Sequence, residues 1–299
     1  MTELRMRAVG FVGLGNIGKP MALRLLTGDL PVWVYDVAPQ PVTELEQAGA
    51  RVASDLGQLA ESVDLVCVMV RDDDQVREVL GRVVGVVRPD DAPSLIVAIH
   101  STVGPTTPEE LADVAGRHGV RLLDAPVSGG PMGAADGTLA MMVGGPTDAY
   151  AEAETSLSLM ASKTVHAGPV GAGTRMKLAR NLIHFVSFTA VTEAQRLAEA
   201  SGLDLAALGE VVRHTDAITG GPGAIMYRDT TAPLDTDDFW HGVFTHVAAL
   251  GEKDLGFAIA LADQLGIDVP LAQHARTHLA PGLGLGLGLG LGLSQGEQT

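Results

Sequence analysis

Lys177 and Asn181 stand four residues apart in Gly171-Ala172-Gly173-Thr174-Arg175-Met176-Lys177-Leu178-Ala179-Arg180-Asn181. In a helix this spacing puts both side chains on one face. There a lysine can move a proton while an asparagine holds a substrate oxygen. Taken alone, the segment equally describes a solvated helix face, because most lysines are exposed.

Gly13-Leu14-Gly15-Asn16-Ile17-Gly18 has the spacing of a dinucleotide-binding turn. Gly13 permits a tight turn, Gly15 lets backbone approach a pyrophosphate, and Gly18 lets helix and strand pack closely. Free N–H groups at the helix start then face the phosphates. The alternative is a glycine-rich turn without a ligand. Asp36 closes Val32-Trp33-Val34-Tyr35-Asp36, 18 residues after Gly18. A carboxylate there accepts bonds from ribose hydroxyls and repels a 2′-phosphate, so NAD is expected over NADP, with NADP still possible. A plain turn residue before Pro39 is the other reading. Within Asp124-Ala125-Pro126-Val127-Ser128-Gly129-Gly130-Pro131-Met132-Gly133-Ala134, the Ser128 side chain and the glycine N–H groups can cradle a carboxylate. Without context, such a stretch is usually only a loop.

These residues need elements to position them. Short β-branched runs at 8–12, 32–35, 64–70, 94–99 and 121–124 read as strands. Between them, 17–27, 42–48, 74–80 and 107–117 read as helices. Strands alternating with helices imply a parallel sheet covered on both faces. A later pair, 138–143 and 164–166, extends it. After about Gly168 the strand signal stops. Residues 173–200 form one long helix that Gly202 ends, followed by helices at 205–214, 245–265 and 270–280. The expected fold class is α/β: a Rossmann-type dinucleotide-binding domain (1–168), joined by a long helix to an all-α domain (169–280). A Gly-Leu tail (281–299) is low-complexity and carries no assigned function.

The 299-residue chain is long enough for two domains, and its formal net charge of -16 argues against a nucleic-acid surface. One cysteine, Cys67, excludes an internal disulfide and sits in an apolar run that reads as core. No secretory signal or membrane-crossing stretch is evident, so the expected location is the cytoplasm. His274 and His278, like His241 and His246, have no third ligand placed by a motif, and no metal is expected. Asp72-Asp73-Asp74 reads as a solvated helix start.

Taken together, the glycine-rich turn, residues 124–130, Gly137-Thr138-Leu139, the Gly171 to Asn181 stretch and Lys253-Asp254-Leu255 resemble the β-hydroxyacid dehydrogenases, the group containing 3-hydroxyisobutyrate dehydrogenase. The resemblance covers roughly residues 7–280. It implies a general acid–base role for Lys177, substrate orientation by Asn181, and carboxylate binding by Ser128, Gly129 and Gly130. It implies that Lys253 reaches towards the cofactor from the helical domain, that Thr102 lies near the nicotinamide, and that Val70 and Arg71 line the cofactor cleft. It further implies a small carboxylate-bearing substrate and a homodimer or homotetramer.

Two positions depart from the family pattern: His100, where relatives often carry aspartate or a small polar residue, and Arg180, where many carry asparagine. Both bear on the substrate and leave the reaction type intact. For Lys177 to serve as a base near neutrality, burial and neighbouring cations must lower its pKa from ~10.4, and Arg175 and Arg180 are the candidate cations. The segment 215–244 is expected to be a loop shaping the pocket. Rival readings are an imine reductase, which usually has aspartate or tyrosine at the lysine position, a 6-phosphogluconate dehydrogenase, which has a larger helical domain, and a non-catalytic nucleotide-binding module.

Overall fold

Residues 6–87, 93–226, 228 and 230–285 are described by the structure, a computed structural model. The first five residues and 286–299 of the expected Gly-Leu tail lie outside them, whereas 281–285, expected as part of that tail, are folded, with Leu283 and Leu285 buried. In the first half of the chain, four-residue strands made almost wholly of apolar residues are buried on both faces: β1 (Val9–Val12), β4 (Leu65–Val68) and β5 (Ile96–Ile99). Alternation sends successive side chains to opposite faces of the sheet. Phe11, Cys67 and Ala98 enter one core, and Val12, Val68 and Ile99 the other. The Cys67 thiol is fully buried, and burial pushes its pKa up, as suits a packing residue and not a nucleophile.

The remaining strands are β2 (Val32–Tyr35), β3 (Arg51–Val52), β6 (Arg121–Asp124), β7 (Val127–Ser128), β8 (Leu139–Gly144) and β9 (Ala161–Gly168). Among the described residues they build a nine-stranded sheet in the order β3-β2-β1-β4-β5-β6-β8-β7, with β9 also on β8. The first six are parallel, as expected, but β8 runs antiparallel to β6 and β7. One face carries α1 (Gly18–Leu25), α2 (Pro39–Gln47), α6 (Gly130–Asp136) and α7 (Thr147–Met160). The other carries α3 (Leu56–Ser62), α4 (Asp73–Val84) and α5 (Thr107–Gly116).

Five of these elements have no counterpart in the sequence reading: β3, α3, β7, α6 and α7. The face α7 buries is Ala149, Ala153, Ser156, Leu157 and Met160, so small residues blunt the contrast on which periodicity depends.

The described residues fall into two compact units that divide between Asn181 and Leu182, inside the 29-residue helix α8 (Ala172–Ala200). The second unit adds α9 (Leu205–Thr219), α10 (Phe239–Leu265) and α11 (Pro270–Gly282). Its small core gathers Phe244, Ala248, Ala280 and Leu283. Glu193 of α8, buried, accepts from the N–H groups of Leu271 (2.9 Å) and Ala272 (3.1 Å) and so caps α11. The expected loop at 215–244 is corrected at both ends. α9 continues to Thr219, where Gly220 stops it in the left-handed conformation. Asp238 caps α10 through the Trp240 N–H (2.7 Å), so that helix starts at Phe239 and not near 245.

Candidate active site

At the carboxyl end of β1 the chain turns on Gly13, whose φ of 91° suits glycine; a Cβ there would strike the Met69 carbonyl. A Cβ on Gly18 would collide with the Gly13 carbonyl, which makes Gly18 the close-packing glycine expected from the spacing. Around Gly15 a Cβ would meet nothing within 4 Å, and Gly15 and Asn16 are exposed. Leu14 and Ile17 flank that pair, Leu14 buried and Ile17 half-buried. Such an open, unobstructed backbone fits a pyrophosphate.

Asp36 follows β2, and its carboxylate accepts from the N–H of Leu14 (2.5 Å) and of Ala38 (2.8 Å). It is therefore both a turn residue and a brace on the glycine loop. Each carboxylate oxygen keeps a second acceptor site, enough for ribose hydroxyls.

The carboxyl ends of β4 and β5 are fastened by a residue that sequence reasoning passed over. Ser101 is buried, and its Oγ accepts from the Val70 N–H (2.9 Å) and donates to the Val70 carbonyl (2.7 Å). A serine beside a threonine carries no periodic signal, and only the neighbouring strand reveals it. Arg71 is exposed and pairs loosely with Asp72 (3.4 Å); Thr102 is exposed at the same edge. Asp73 is corrected from a solvated residue: it accepts from the Gly104 N–H (3.0 Å) and the Thr107 hydroxyl (2.5 Å).

Lys177 is only 8% exposed. Its Nζ donates to the Val127 carbonyl (2.6 Å) and to the Ser128 Oγ (2.8 Å). This joins two of the expected site residues, Lys177 and Ser128, across 49 positions of sequence. Burial, then the charge of Arg180, pulls its pKa down to about 8. Arg175, the other candidate cation, pairs instead with Glu109.

Asp124 sets the position of this helix. It is wholly buried, and its carboxylate accepts from the N–H groups of Gly171 (2.7 Å) and Thr174 (2.6 Å), at the start of α8. Burial raises its pKa, against the opposing pull of those two donors.

Asn181 lies one turn beyond Lys177, half-buried, and its Oδ1 accepts weakly from Arg180 (3.3 Å). Gly129 and Gly130 carry φ of 133° and 64°, which only glycine adopts readily, and these turn the chain from β7 into α6. Lys253 stands exposed on α10 of the second unit, paired with Asp254 (3.3 Å). His274 and His278 stack on each other on an exposed face, with ring centroids 4.0 Å apart. Among the described residues no group of three or more His, Cys, Asp or Glu could hold a metal, and no helix is long and apolar enough to cross a membrane.

The chain is similar to known proteins over most of its length. The family model described as the NAD binding domain of 6-phosphogluconate dehydrogenase matches residues 8–168. The one described as NAD-binding of NADP-dependent 3-hydroxyisobutyrate dehydrogenase matches residues 171–283. An uncharacterized oxidoreductase of Mycobacterium tuberculosis is 48% identical over 92% of this chain and 92% of its own length. The 3-hydroxyisobutyrate dehydrogenase of Pseudomonas aeruginosa is 35% identical over 91% of this chain and 90% of its own. A solved 3-hydroxyisobutyrate dehydrogenase of Mycobacterium tuberculosis, described with L-serine, superposes with a TM-score of 0.65 at 32% identity, covering 94% of this chain and 96% of that one.

Proposed function

This chain belongs to the β-hydroxyacid dehydrogenase family, and from that premise we propose that it transfers a hydride between a nicotinamide cofactor and a small 3-hydroxy acid, or the matching semialdehyde or ketone. A nicotinamide-dependent oxidoreductase is the family-level function; the substrate class and the residue roles are our reading. The observation that carries it is the buried Lys177 amine, held between the Val127 carbonyl and the Ser128 hydroxyl. The 3-hydroxy acid is suggested by the relatives named above, since L-serine too carries a carboxylate and a 3-hydroxyl.

In this reading Gly13, Leu14, Gly15, Asn16, Ile17 and Gly18 hold the cofactor phosphates and Asp36 the adenosine ribose. Val70, Arg71 and Thr102 serve the same ligand. Bound there, the nicotinamide supplies the hydride acceptor or donor. Ser128, Gly129 and Gly130 take the substrate carboxylate, and Asn181 orients the reacting oxygen. In oxidation the neutral Lys177 amine takes the hydroxyl proton. The resulting ammonium keeps two N–H bonds on Val127 and Ser128, which leaves the third for the product oxygen. In reduction the ammonium returns that proton to the carbonyl oxygen.

The pH dependence follows in sign from this scheme. Oxidation needs the amine, so kcat rises with pH and is half-maximal near the Lys177 pKa of about 8; reduction needs the ammonium and falls through the same midpoint. Absorbance of the reduced nicotinamide, followed with NAD or NADP and a panel of 3-hydroxy acids, tests both reaction and profile. A rate flat through that midpoint would remove Lys177 from the proton step.

Asp36 supports NAD over NADP. We expect Asp36→Ala to raise KM for NAD by about 10- to 100-fold, the worth of one or two hydrogen bonds to a charged group. KM for NADP should rise less, because the repulsion of its 2′-phosphate goes with the carboxylate. An unchanged NAD-to-NADP ratio would sink the assignment. A homodimer or homotetramer accompanies this reading: Leu182, Phe185 and Phe188 on α8 are 67%, 60% and 53% exposed, apolar surface that a second copy would cover.

A further inference from the structure

β5 ends at Ile99, and the next residue, His100, is 1% exposed. Its Nδ1 lies 2.9 Å from the Ala125 carbonyl oxygen. A carbonyl only accepts, so Nδ1 carries the hydrogen and Nε2 the lone pair. That Nε2 is buried and has no hydrogen-bond partner among the described residues. The ring lies nearly parallel to Phe11, with centroids 6.2 Å apart. Burial draws the His100 pKa down to about 4, so the ring is neutral at physiological pH. A neutral histidine held this deep, with one nitrogen unsatisfied, is a costly choice for mere packing.

Its one side-chain bond falls on the segment that faces Lys177. The Ala125 N–H donates to the Ile99 carbonyl (2.7 Å), and the Met142 N–H to the Pro126 carbonyl (3.1 Å). Two residues beyond Ala125 stands the Val127 carbonyl that receives Lys177 Nζ, and then Ser128. Pro126 has no N–H with which to anchor the stretch. The Ala125 carbonyl is thus tied down by His100 through its side chain.

We propose that His100 is a positioning residue for Lys177: by fixing the Ala125 carbonyl it holds the Val127 carbonyl and the Ser128 hydroxyl where they keep the amine buried. The proposal rests on the reading of Lys177 as the acid–base group. Burial is the larger cause of the low Lys177 pKa, with Arg180 on the same helix second. Asp124, from β6, is engaged by the start of α8, and Arg175 by Glu109. Releasing Ala125 therefore loosens the cradle, exposes the amine and raises its pKa.

The test is a direct titration of Lys177 by NMR in the full chain carrying labelled lysine. The chain has four lysines, Lys19, Lys163, Lys177 and Lys253, so the signal lost in Lys177→Arg identifies the residue. An asparagine amide nitrogen falls near the place of Nδ1, and a glutamine amide nitrogen near that of Nε2. We expect His100→Leu and His100→Gln to raise the Lys177 midpoint by about one unit or more, a roughly tenfold change in its protonation ratio. They should also lower kcat at neutral pH in the oxidation direction, with little change in KM for the cofactor. His100→Asn should restore both. An unchanged midpoint in the Gln variant, or an Asn variant as impaired as Gln, overturns the proposal. If His100→Leu does not fold, the Asn and Gln pair carries the comparison. Turnover retained by Lys177→Ala would instead defeat the acid–base reading, while the NMR midpoints would still decide the role of His100.

Discussion

Lys177→Ala should lower kcat by about 10²- to 10⁴-fold, the usual worth of a positioned general acid–base. Without the amine no group at this place can take the hydroxyl proton at neutral pH, and water would enter where Nζ met Val127 and Ser128. Cofactor affinity should hold within about twofold, because the glycine loop belongs to β1 and α1 and shares no partner with Lys177. Lys177→Arg sharpens the test. A guanidinium keeps the charge and the donors but does not deprotonate at working pH. If the amine is the base, arginine should be as defective in oxidation as alanine. If Lys177 only binds a carboxylate, arginine should recover much of the rate. Stopped-flow absorbance for turnover and nicotinamide fluorescence for binding separate these outcomes.

Gly173→Ala should be the most damaging single methyl group in this part of the molecule. In an isolated helix the change favours folding by about 1 kcal/mol, since alanine is the better helix former. Here the added Cβ would press on the carbonyl oxygens of Met142 and Asp124, and would lie 2.8 Å from the Gly144 nitrogen. All three are backbone atoms, and no side chain can swing aside. Overpacking of this kind costs about 1–3 kcal/mol and sometimes more. The collision should win, with a fall in Tm of roughly 5 °C or more for a unit of this size. The displaced start of α8 would also pull Gly171 and Thr174 from the Asp124 carboxylate and Lys177 from its cradle. Activity should therefore drop more than stability alone explains. Thermal unfolding followed by circular dichroism, beside kcat below the transition, reads both effects. A variant as stable and active as the parent would show that helix and sheet can separate here at little cost.

These two positions differ in how readable they were. Lys177 and Asn181 could be picked out by spacing because a helix places them on one face whatever surrounds it. Gly13 and Gly18 were readable for a similar reason: a tight turn from strand to helix is a local backbone requirement. The parallel strands were equally plain, since a strand buried on both faces must be apolar throughout. α7 was not readable, because its buried face is built largely of alanine and serine. Nor were α6 and β7, short segments around two glycines whose conformation depends on the β8 strand beside them.

The sequence by itself determined the parallel sheet, the glycine turn, the acid at the end of β2 and the long helix bearing Lys177. All of these follow from interactions within a few residues or from side-chain periodicity. Only the tertiary structure decided that Asp124 caps α8, that Ser101 clasps Val70, that His100 holds Ala125, and that Arg180 rather than Arg175 bears on the lysine. Those outcomes depend on desolvation and on hydrogen bonds between segments far apart in the chain. Charge and spacing cannot encode a pKa near 8 for Lys177; the burial of its amine against β7 does.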